Sequence, residues 1–115
     1  MSDSDLLFLP LRQLGAKLRS REVSPVALAE ASLSRLETLG PKYNAVVTVM
    51  RESAIAEAKA AEAEIRAKRH RGPLHGIPYG VKDLLATKGV PTTWGAEPFR
   101  EIGRASCRER VSLNV

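Results

Sequence analysis

Aromatic residues are scarce in this chain, 4% of 115 residues, so any core must be assembled from Leu, Val, Ile and many alanines. These give less burial per residue than rings do, and a self-sufficient core is not expected. Cysteine occurs once, at Cys107, which rules out an internal disulfide and fits a reducing, cytoplasmic setting. No apolar run approaches the roughly 18 residues of a membrane helix, and "LLFLP" follows Asp3 and Asp5, too acidic a flank for a secretory signal. No membrane partner is expected.

What is present is ordinary for a soluble globular protein: 43% hydrophobic and 27% charged residues, too apolar for intrinsic disorder. The formal charge of +5 is concentrated in "RAKRHR", Arg66 to Arg71, and in the last dozen residues. With no aromatics interleaved for base stacking, such clusters read first as solvated surface; a small basic nucleic-acid-binding module is the alternative.

Three helices are predicted. Pro10 opens the first, with Leu11, Leu14 and Leu18 at steps of three and four. The second has Ser24 as N-cap, Pro25 in its first turn, an apolar stripe of Val26, Ala29, Leu33 and Leu36, and a stop at Gly40 and Pro41. The third runs from Arg51 to about Lys68, with Ala54, Ala58, Ala61 and Ile65 on one face. Glu62 with Arg66 and Glu64 with Lys68 would support it four residues apart, until it breaks at "RGP". Between the second and third, Ala45 to Met50 is β-branched and short enough for a buried strand. Helices separated by strands predict an α/β fold.

The stretch "LHGIPYGVKDLLATKGVPTTWG" carries the most chemistry. Read as a strand, it turns Ile77, Tyr79, Val81 and Asp83 one way and Pro78, Gly80, Lys82 and Leu84 the other. Lys82 then has space beside it from Gly80 and apolar neighbours in Val81 and Leu84. Desolvation there would favour the neutral amine, a candidate general base. Spacing alone favours the plainer reading, a lysine that ends its strand and snorkels to water. A phosphate loop does not fit, because Val81 and Asp83 flank the lysine where glycine and Ser or Thr belong. Asp83 reads as a cap or an ion-pair partner, Gly89 as a turn, and Thr92 and Thr93 as hydroxyls satisfying nearby backbone. His75 reads as a turn residue hydrogen-bonded locally, with no metal role because no ligand stands at suitable spacing, and His70 as surface.

"GPLHGIPYGVKDLLATKGVPTTWGA", together with "LRSREVSPVALAEASLSRLETLGPKYNAVVTV" upstream, resembles the amidase signature family, over about Leu11 to Glu101. That family includes amide hydrolases and the A subunit of the glutamyl-tRNA(Gln) and aspartyl-tRNA(Asn) amidotransferase. The resemblance implies a single α/β domain of several hundred residues, helices around a large mixed sheet, with no metal or organic cofactor. It implies a Ser, cis-Ser, Lys triad: one serine attacks the amide carbonyl, a second relays the proton, and the lysine, matched by Lys82, accepts it. It implies a small amide substrate, and amidotransferase partner subunits and tRNA if the chain is of the amidotransferase kind. On this resemblance the base reading of Lys82 is preferred over snorkelling.

The family's serines lie in a glycine- and serine-rich motif downstream, and no "GGS" occurs here; Ser106, in "GRASCRER", lacks such a loop and is not offered as nucleophile. The chain is therefore expected to be an inactive N-terminal fragment of one amidase domain, residues 1–101, with a purely structural fragment as a further alternative. From Ile102, "IGRASCRERV" resembles a translated sequencing adapter: ATC GGA AGA GCG TCG TGT AGG GAA AGA GTG encodes those ten residues. Residues 102–115 are expected to be non-native, which would strip Cys107 and three arginines of meaning.

Overall fold

The computed structural model describes residues 3–82. Residues up to Tyr79 belong to one compact unit, while Gly80, Val81 and Lys82 belong to a second. Among the described residues four helical segments follow one another: α1 (Asp3–Leu6), α2 (Leu11–Arg19), α3 (Pro25–Tyr43) and α4 (Arg51–Arg66). The last three are the predicted helices. The short α1, which sequence patterning passed over, lies against α3.

Local chemistry sets the ends of these helices. The Ser24 hydroxyl accepts hydrogen bonds from the Val26 and Ala27 amides at 3.1 and 3.4 Å, satisfying donors that the first turn of α3 would otherwise leave orphaned. The same hydroxyl donates to Glu62 Oε1 of α4 at 2.7 Å, so one side chain both starts α3 and ties it to its neighbour. All three long helices end the same way, with a residue in left-handed conformation: Arg21 (φ 64°), Asn44 (φ 51°) and Lys68 (φ 59°). In each case that residue's amide bonds a carbonyl three residues back and the next amide bonds one five back, as with Asn44 to Pro41 and Ala45 to Gly40.

The predicted stop at Gly40 and Pro41 is thus corrected. Pro41 is accommodated in the last turn of α3, Gly40 stays helical and buried, and Asn44 supplies the termination. Likewise Lys68, at positive φ beyond the end of α4, leaves the register in which it would meet Glu64. The Glu62–Arg66 pair forms as expected, at 3.5 Å.

Two clusters make the core of the first unit. Leu14 and Leu18 of α2 meet Val23, Leu28 of α3 and Ile77, with Leu6, Leu7 and Leu9 packed against them. Between α3 and α4, Ala29 faces Ala58, flanked by Val26 and Ile55. Alanines at the contact let two helix backbones come close, at the expense of apolar area. The predicted face of α4 turns inward, with Ala58, Ala61 and Ile65 buried. On α3 the predicted Ala29 and Leu33 are buried and Leu28 joins them, whereas Leu36 is 40% exposed. Across the outer edge Arg51 of α4 spans two carboxylates of α3, Glu37 through both oxygens at 2.8 and 2.9 Å and Glu30 at 2.7 Å. The hydrogen bond from Arg51 holds the Glu37 carboxyl below its ordinary value.

Neither predicted strand is present among the described residues. Residues 45–50 and 77–82 take neither helical nor strand conformation. β-Branched composition supplies only propensity, and a strand exists only when a second strand accepts from its amides and donates to its carbonyls. Val47 and Val49 accordingly remain exposed. The α/β expectation is thus met, among these residues, by its helices alone.

Burial predicts contrasting effects of two leucine truncations. Leu18→Ala, at a side chain with no exposure, should cost about 3 kcal/mol in urea unfolding, and Leu36→Ala below about 1 kcal/mol.

Candidate active site

The lysine segment is approached through a turn at 73–76, whose conformation follows from its glycine and its histidine. Gly76 adopts φ 87°, open to glycine and strained for other residues. A Cβ there would lie 3.2 Å from Pro25 Cγ, 3.4 Å from Ile65 Cδ1 and 3.5 Å from Leu18 Cδ1. The turn is thus seated where α2, α3 and α4 converge. Gly15 of α2 allows the matching approach, since a Cβ at that position would come within 2.9 Å of the Pro73 carbonyl oxygen. Ile77, next along, is buried in the leucine cluster.

His75 locks the turn from within. Its side chain is 2% exposed. Its Nδ1 accepts the Arg71 amide at 3.2 Å, and its own amide donates to the Gly72 carbonyl at 3.2 Å. The expectation of a turn histidine hydrogen-bonded locally matches this geometry. Sequence patterning missed its second partner: Nε2 lies 3.1 Å from Glu64 Oε2 on α4, and Arg71 Nε lies 2.7 Å from the same oxygen. These are ion-pair distances without hydrogen-bond alignment, and both Nε2 and Oε2 are shielded from water. Burial foremost, then the Arg71 charge, pushes the His75 pKa below its ordinary value, against the opposing pull of Glu64. The signal available in the sequence was the "RGP" break, which returns the chain past the end of α4.

Lys82 lies seven residues beyond His75, in the second unit, and is exposed; Val81 beside it is half-buried. The cover that a neutral amine requires is not seen here. Strict alternation along 77–82 is also absent, with Ile77 buried and Tyr79 44% exposed. Asp83, Gly89, Thr92, Thr93, Ser106 and Cys107 lie outside the described residues. His70 is exposed, as expected, with its ring 5.5 Å from that of His75. Of the basic cluster, Arg66 and Arg71 are engaged by Glu62 and Glu64. Among the described residues no helix is long and apolar enough to cross a membrane, and no cluster of His, Cys, Asp or Glu could hold a metal ion.

Comparison with known proteins gives these residues a context. A sequence model of the amidase family matches residues 27–103. An amidase of Pseudomonas putida is 42% identical over 108 residues, 94% of this chain and 23% of that protein. The A subunit of a glutamyl-tRNA(Gln) amidotransferase from Streptomyces coelicolor is 37% identical over 94 residues, 82% of this chain and 19% of that protein. The crystal structure of a bacterial aryl acylamidase of the amidase signature family superimposes with a TM-score of 0.80 at 26% identity, covering 87% of this chain and 21% of that one. The chain thus spans about a fifth of the length of the relatives it matches.

The seating of the turn predicts that Gly76→Ala, which adds both φ strain and contacts with three helices, lowers unfolding stability by about 2 kcal/mol or more, measured by chemical denaturation.

Proposed function

Because the chain belongs to the amidase family, we propose that it is part of an enzyme that cleaves or transfers a carboxamide through a serine acyl-enzyme, with Lys82 as the general base. The observation that carries this reading is the family match itself, which runs through Lys82 and its flanking "HGIP" and "VKD". A serine hydroxyl is a poor nucleophile until a base removes its proton, and lysine does so only when uncharged. The exposed Lys82 therefore takes its shielding, and its two serine partners, from sequence beyond the described residues. The complete domain, on this reading, is α/β, with helices around a mixed sheet. Without those serines this chain has a proton acceptor and nothing to acylate, and is inactive by itself. Relatives of both kinds, amidases and amidotransferase A subunits, match most of this chain, so the substrate is assigned only as a carboxamide. The basic-module alternative gains no support from a cluster whose Arg66 and Arg71 are already engaged by carboxylates. Residues 102–115 we read as non-native, on the ten-residue adapter match.

Three experiments test this. In the complete protein Lys82→Ala should lower kcat/KM for a simple amide by about 10²- to 10⁴-fold with the fold retained. The 115-residue chain should show no turnover, and Lys82-dependent hydrolysis by it would contradict the fragment reading. Sequencing the source DNA across codon 102 should show adapter sequence, and a continuous native gene would remove the tail assignment.

A further inference from the structure

The hydrogen bonding of His75 sets which proton the ring can carry. Nδ1 is occupied as an acceptor of the Arg71 amide, so the neutral ring carries its hydrogen on Nε2, facing Glu64 Oε2. Adding a second proton can happen only at Nδ1. It would set an N–H of the ring against the N–H of Arg71, two donors at 3.2 Å with no acceptor between them. The bond that closes the loop between α4 and the turn then has to break.

We propose that His75 is an acid-sensitive latch: neutral, it closes the loop 67–77 on itself through the Arg71 amide, keeping Arg71 beside Glu64 of α4, and protonated, it releases the turn. Among the described residues, the charged and titratable groups facing the ring are Glu64 from α4 and Arg71 and His70 from the loop. α2 meets the turn at Gly15, beside the Arg19 guanidinium, and α3 meets it through Pro25, which carries no charge. Among the described residues Glu64 is the carboxylate that would hold an imidazolium in place. Its Oε2 is already neutralised by Arg71 at 2.7 Å and is poorly aligned with Nε2, so it offers little compensation. Burial then decides in favour of the neutral ring.

The sign follows from linkage. A group whose folded pKa lies below its unfolded value contributes stability that is full above the unfolded value, 6.5 for histidine, and is lost as the pH falls through the folded one. The latch should therefore be closed at neutral pH and open progressively on acidification. It is built from residues 64–77 and stands whether or not Lys82 is catalytic.

The test is an NMR titration of the chain in a His70→Gln background, from pH about 7.5 to about 5, reading the imidazole nitrogens of residue 75 and the Arg71, His75 and Ile77 amides. The expected result is an Nε2–H tautomer at neutral pH, titration below 6.5, and amide protection falling roughly tenfold or more in step with the ring. His75→Gln, whose amide oxygen can accept the Arg71 N–H without titrating, should leave those amides independent of pH. Three results would each overturn the proposal: titration above 6.5, ring protonation with the amides unmoved, or the same pH dependence in the glutamine variant. If that variant does not fold, the ring and amide readings of the histidine-bearing chain decide alone.

Discussion

The missing side chain at Gly76 is the constraint on which the described structure turns. Three helices present Leu18, Pro25 and Ile65 to one small volume, and a backbone without a Cβ is what fits between them. Because Gly76 fits, Ile77 can enter the leucine cluster, which removes from water a side chain worth about 2 kcal/mol. A chain poor in rings cannot fill such a junction with one large residue, so it fills it with returning backbone and small apolar groups. The alanine contacts between α3 and α4 follow the same logic.

Charge is distributed around this apolar junction in a way that composition conceals. The chain is basic, yet its arginines are repeatedly paired with acids from another element: Arg51 with Glu30 and Glu37, and Arg71 with Glu64. Exposed pairs of this kind contribute little each. Their geometry matters more, since Arg51 registers the start of α4 against α3 and Arg71 brings the loop back along the end of α4. Glu62 does the corresponding work at the Ser24 cap.

Much of this could be read from residue types alone. The three long helices, the Ser24 cap, the inward face of α4 and the local hydrogen bonding of His75 follow from period, capping chemistry and turn residues, all local properties. What escaped were effects settled between elements. Gly40 and Pro41 look like a stop, but Asn44 closes the helix further on. Glu64 looks like a partner for Lys68, until the left-handed Lys68 turns away and the loop offers Arg71 and His75 instead. Strand-like residues 45–50 carry the right composition but pair with nothing described, because pairing belongs to two segments and a sequence window shows one. For the candidate site the sequence was the richer source: the motif around Lys82 and the family match single out that lysine, while the described structure shows an exposed side chain.

The fold of the first unit therefore rests on the returning turn being seated among the helices. The most direct measurement is methyl–methyl nuclear Overhauser contact between Ile77 and the Leu18 and Leu28 side chains. A seated turn predicts strong cross-peaks at neutral pH. Their absence, in a chain whose helices are otherwise formed, would contradict it.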